Sequence, residues 1–129
     1  MFTIGARSQE RLSGVNPNIL NLVYAAIKIT KIDFGVAEYG GFRSSADQYK
    51  LFLDHKSHAD GTINKSQHQT GRAVDFYALD PDTGKASWDK GLMAQVACAF
   101  FQAAKELNLK ITWGGLFTSI DDYPHIELD

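Results

Sequence analysis

Apolar positions along this chain follow two rhythms, one of three to four residues and one of two, and their mixture predicts an α+β domain. After Asn16-Pro17, the residues Ile19, Leu20, Val23, Tyr24 and Ile27 recur at helical spacing. Asn is a good cap and Pro suits the first helical position, so a helix is expected over roughly 17–29. Leu92, Val96, Phe100, Ala103 and Leu107 mark the buried face of a second helix over about 88–107, with Ser87 as its cap. Cys98 falls inside that helix and reads as a small packing residue. Ser44 or Ser45 can cap a third helix over about 46–55. Residues 1–15 carry no strong period.

Alternating stretches predict the strands: 33–38, ended by Gly40-Gly41; 73–78; 109–113, ended by Gly114-Gly115; and 125–128. Between them, Asp80-Pro81-Asp82-Thr83-Gly84 has the composition of a solvated turn. His55 to Lys65 is polar and reads as a loop, in which His55 and His58 are expected to face solvent.

Composition narrows the class. With 129 residues, 44% of them hydrophobic and 22% charged, residues 1–129 are expected to form one domain with a real core. The net charge of −2 and the lack of a basic block argue against nucleic acid as a partner. A single cysteine rules out an internal disulfide framework and fits a reducing compartment. No apolar run approaches the ~18 residues of a membrane span. The N-terminus lacks the basic and apolar regions of a signal peptide, so a cytoplasmic protein is expected.

The candidate chemistry emerges when the period-two strands are read by face. Asp75 and Tyr77 share one face of their strand, while Val74 and Phe76 share the other. His125 and Glu127 likewise point one way, with Ile126 and Leu128 opposite. An Asp within an apolar strand is costly to bury unless it is paired or metal-bound. Taken singly, His68 reads as a loop histidine, Asp75 as the partner of an arginine, and Glu127 as an exposed carboxylate. Together they supply two imidazoles, one carboxylate ligand and one spare carboxylate, the inventory of a catalytic zinc site that keeps a position open for water. His68, Asp75 and His125 are therefore expected to hold one Zn2+. Glu127 is expected to act as the base on the attacking water. Arg43, just past a strand end, is expected to stabilise the oxyanion that develops on the attacked carbonyl.

At these residues the chain resembles a known family. Ser66-x-His68-x-x-Gly71-x-Ala73-x-Asp75, followed by Pro124-His125-Ile126-Glu127, is similar to the zinc D-alanyl-D-alanine peptidases of vancomycin resistance and their phage relatives, above all the endolysins that are L-alanyl-D-glutamate endopeptidases. Gly41-Phe42-Arg43-Ser44 and Trp113-Gly114-Gly115 extend the likeness over most of the chain. The resemblance implies an α+β fold of the hedgehog/D,D-peptidase type, in which a small antiparallel sheet with flanking helices carries the zinc. It implies the same ligand set, Glu127 as base, Arg43 as the transition-state arginine, and Ser66 near the substrate. The implied substrate is the stem peptide of bacterial peptidoglycan. Phage members often follow Trp-Gly-Gly with an acidic residue and then Trp, where this chain has Leu116-Phe117. The approach to Arg43 also looks longer than usual. These departures bear on bond specificity.

The leading expectation is thus a monomeric phage endolysin that cuts between L-alanine and D-glutamate. It would wait in the host cytoplasm for a holin-type membrane lesion, and would have no separate wall-binding domain. A D-alanyl-D-alanine carboxypeptidase or dipeptidase is the alternative enzyme. A non-catalytic zinc-binding module of the same fold is the alternative of another class, and such a module would need neither Glu127 nor Arg43.

Overall fold

A computed structural model describes residues 1–54, 67–118 and 121–129. Its elements run α1 (Ala6–Arg11), α2 (Pro17–Ile29), β1 (Phe34–Val36), α3 (Ser45–Leu53), β2 (Ala73–Leu79), β3 (Ala86–Ser87), α4 (Lys90–Glu106), β4 (Ile111–Trp113) and β5 (His125–Leu128). Short 3-10 turns cover Gln67–Thr70 and Gly114–Leu116. The sheet is antiparallel in the order β1-β2-β5-β4, with β3 also on β2. This is the expected α+β fold with a small antiparallel sheet. Among the described residues, no helix is long and apolar enough to cross a membrane.

The core lies on one face of the sheet. Alternation along β2 sends Val74, Phe76 and Ala78 into it, joined by Ile126 and Leu128 from β5. Helices α2 and α4 cover this face and pack on each other. Phe100 of α4 meets Phe34 and Phe76 with ring centroids 5.2 and 5.4 Å apart. Burying each such ring stabilises the layer by roughly 1.5–3 kcal/mol. The opposite sheet face is left for polar side chains.

Helix α2 begins as expected, with the Asn16 side chain accepting the N–H of Asn18 and Pro17 in the first turn. Its buried face differs in detail. Leu22 and Ala26 are buried beside Ile19, Val23 and Ile27, whereas Leu20 and Tyr24 are half-exposed. Helix α4 starts later than expected and is capped by Asp89, because Ser87 is taken up by β3. Met93, Ala97 and Ala104 enter its buried face, while Leu107 and Cys98 stand exposed. Cys98 is therefore not the packing residue expected. In the first fifteen residues, α1 forms without a strong period. Its Ser8 hydroxyl accepts the Val36 N–H at 2.9 Å, a contact 28 positions away.

Candidate metal centre

The strand pairing builds the site. Asp75 and His125 are direct cross-strand partners in the β2–β5 register, so their side chains emerge side by side on the polar face. His68 arrives from the 3-10 turn just ahead of β2. His68 Nε2 lies 3.2 Å from Asp75 Oδ1 and 3.3 Å from His125 Nδ1, and His125 Nδ1 lies 3.2 Å from Asp75 Oδ1. Three donors thus form a nearly equilateral triangle. Four ligands placed tetrahedrally at zinc bond lengths sit about 3.3 Å apart, so the triangle fits such an ion with one corner open. A His/Asp/His group able to hold a metal is present.

The surroundings fix which atoms face the triangle. His68 Nδ1 is 3.0 Å from the Gly41 carbonyl, which can only accept, so Nδ1 donates there and Nε2 is the nitrogen turned to the triangle. The segment 37–43 binds the backbone of both neighbours. The Asp75 N–H donates to Gly40 O at 2.7 Å, the Ala37 N–H to Asp75 O at 2.9 Å, and the Arg43 N–H to His68 O at 3.0 Å. A side chain at Gly41 would collide with the Arg11 carbonyl, so the segment runs this close only because the residue is glycine.

Arg43 is almost buried, and its guanidinium faces inward. Nη2 donates to Asp75 Oδ2 at 2.8 Å, Nη1 to Gln48 Oε1 at 3.1 Å and Nε to the Tyr39 carbonyl at 2.6 Å. Asp75 therefore gives one oxygen to Arg43 and the other to the donor triangle. Among the described residues, these are the bonds that the guanidinium donates, one from each of its three nitrogens.

Glu127 takes a place other than the one expected of a base. Its Oε1 is 2.8 Å from His125 Nε2, on the far side of the ring from the nitrogen that joins the triangle. This is the position of a carboxylate that orients a metal-binding histidine. The spare carboxylate on the near side is Asp122, whose Oδ2 is 3.9 Å from His125 Nδ1 and whose side chain is 46% exposed. Sequence reading passed over Asp122. The available signal was an acid three residues before the histidine, across the Pro124 turn, with its carbonyl accepting the His125 N–H at 3.1 Å. Gly114 seats this turn. Its carbonyl accepts the N–H groups of Asp122 and Phe117, and a Cβ on it would strike the Asp122 carbonyl. Phe117 lies against His125, ring centroids 5.8 Å apart.

Electrostatics follow the same grouping. Burial raises the Asp122 carboxyl, helped by the charge of Asp75 and opposed by His125, His68 and Arg43. Burial would also raise Asp75, but the charges and hydrogen bonds of His68 and His125 outweigh it and hold the group far below the usual carboxylate range. Burial lowers His125, yet hydrogen bonding to and the charge of Asp75, with Glu127 and Asp122 adding, push it up to about 9. Of the other candidates, Ser66, His55 and His58 lie outside the described residues.

The chain is similar to known proteins in sequence and in fold. The phage L-alanyl-D-glutamate peptidase family matches residues 1–128. The L-alanyl-D-glutamate peptidase of Escherichia phage T5 is 30% identical over 123 residues, spanning 95% of this chain and 86% of that one. The crystal structure of the Serratia marcescens L-Ala D-Glu endopeptidase ChiX superposes with a TM-score of 0.82 at 35% identity, covering 96% of this chain and 87% of that one.

Proposed function

The chain belongs to the phage L-alanyl-D-glutamate peptidase family, and on that premise we propose that it hydrolyses the L-alanyl-D-glutamate bond of the peptidoglycan stem peptide at a zinc ion held by His68, Asp75 and His125. The observation that carries the proposal is the donor triangle with edges of 3.2–3.3 Å. Each imidazole is turned by an acceptor on its far nitrogen, and a second carboxylate, that of Asp122, stands beside the triangle. Two neutral nitrogens and one carboxylate suit zinc and leave it a formal charge of about +1. Zinc in such a set supplies Lewis acidity and makes water a competent nucleophile near a pH of ~7.

The remaining work falls to side chains. Asp122 takes the proton of the attacking water and returns it to the departing D-glutamate amine. Its half-exposed position beside His125 supports this role, and its raised carboxyl is tuned toward a proton carrier. Glu127 holds His125 by Nε2, so that Nδ1 stays aimed at the ion. Arg43 holds Oδ2 of Asp75 and stabilises the oxyanion. Ser66 keeps the role of a substrate contact.

Around the site, the substrate is wall peptidoglycan and the molecule acts as a monomer in host lysis. It is released from the cytoplasm to the wall by a holin-type lesion. The test is digestion of purified peptidoglycan, with the new termini identified by mass spectrometry. A newly exposed D-glutamate amine is expected, lost on chelation and restored by zinc. Release of D-alanine instead would establish the carboxypeptidase alternative and overturn the bond assignment. No cleavage under zinc would leave a zinc-binding module.

A further inference from the structure

Helix α3 is built the wrong way round for ordinary core packing. Tyr49, Phe52 and Leu53 are 40–56% exposed, while its fully buried residue is Gln48, at 0%. Burying an amide is costly unless its polar atoms are engaged. Here Oε1 accepts the Arg43 Nη1 N–H at 3.1 Å. The helix starts two residues after Arg43, with Ser44 accepting the Asp47 N–H as its cap, so the distance from Arg43 to Gln48 is set by the cap and the first helical turn. On its other side the guanidinium is held through Nε by the carbonyl of Tyr39, a residue with φ of 57°. Few non-glycine residues adopt such a backbone, and here it points a carbonyl at the arginine. The guanidinium plane is thus gripped at Nε and Nη1, and Nη2 falls on Asp75 Oδ2.

We infer that Gln48 is a positioning residue of the metal centre: by fixing the plane of Arg43 it ties down one oxygen of Asp75 and leaves the other to face the ion. The inference rests on the zinc reading above and deepens it. Remove the acceptor, and Nη1 carries an unpaired N–H in a buried site. The guanidinium then turns to find another partner, and Asp75 is free to rotate. Partners one shell beyond a metal ligand commonly tune affinity by 10–100-fold. Gln48 acts through one further residue, so the low end of that range applies.

Two substitutions separate positioning from packing, because they reverse the order of effects. Gln48→Met keeps the volume and loses the acceptor. Gln48→Glu keeps the acceptor and adds a buried charge. The metal-depleted full chain is titrated with Zn2+ against a chromophoric chelator, and the visible spectrum of the Co2+ form is recorded. We expect Gln48→Met to bind Zn2+ about tenfold more weakly, with an altered Co2+ spectrum. Gln48→Glu is expected to stay within about threefold of wild type. A Met variant that binds as wild type does, or a Glu variant that falls as far as the Met variant, overturns the inference while the zinc reading stands. A wild type that takes up no ion overturns both.

Discussion

At the scale of single residues, the site turns on which nitrogen of His125 faces which carboxylate. Nδ1 faces Asp75 and Asp122, and Nε2 faces Glu127. Asp122→Asn should therefore lower kcat by about 10²–10⁴-fold and leave zinc binding close to wild type. Glu127→Gln should weaken zinc by about tenfold and cost less in kcat once zinc is saturating. Steady-state kinetics with metal analysis checks the pair, and the reverse order would return the base to Glu127. His125 also sets a pH dependence. Its folded value of about 9 lies above the ordinary 6.5. In metal-depleted protein, that interaction adds stability fully below about 6.5 and loses it as pH rises through about 9. Zinc must displace the same proton, so affinity should climb with pH up to about 9. Calorimetry in buffers of different ionisation heat should find about one proton released per zinc at pH ~7. No release would mean that His125 stays outside the coordination set.

At the scale of elements, legibility tracked how local the deciding contact is. Asn16 and Pro17 mark the start of α2 by chemistry confined to the first turn, so the sequence places it well. The start of α4 is expected at a Ser87 cap, and only the pairing of Ser87 with Ala78 across the sheet moves the cap to Asp89. Helix α1 depends on Ser8 reaching Val36, which no window of sequence reveals. The same rule holds at the site. Period two put His125 and Glu127 on one face of their strand and Asp75 on one face of its own, yet the pairing that joins them and the side of the imidazole that Glu127 meets are matters of register and rotamer. Asp122 reaches the site through the turn seated on Gly114. Adding a methyl there forces backbone against backbone, with no flexible side chain to give way. Gly114→Ala should thus cost about 1–3 kcal/mol in urea unfolding. It should also lower kcat at least tenfold at full zinc occupancy, the scale of a modest general-base contribution. An unchanged kcat would detach Asp122 from the chemistry.

At the scale of the whole molecule, the sheet divides its labour by face. Helices α2 and α4 close one side with the apolar core, and the other carries the polar donors. The donor face therefore receives little cohesion from hydrophobic burial, and Asp75 brings a buried negative charge to it. An ion held there would tie together residues 68 and 125, 57 positions apart, and offset that charge. Because it binds the folded chain and finds no preformed site in the unfolded one, its binding energy becomes folding stability. At a free zinc level about 1,000 times Kd, the gain is about 4 kcal/mol. For a domain of this length that raises Tm by on the order of 10 °C. Thermal unfolding with chelator and then with added zinc should show the drop and its recovery, in step with loss and return of peptidoglycan cleavage. The His68→Ala variant should show neither, since one corner of the triangle is gone. If chelation leaves both Tm and cleavage untouched in the wild type, the three side chains hold together without an ion and the hydrolysis proceeds by another route.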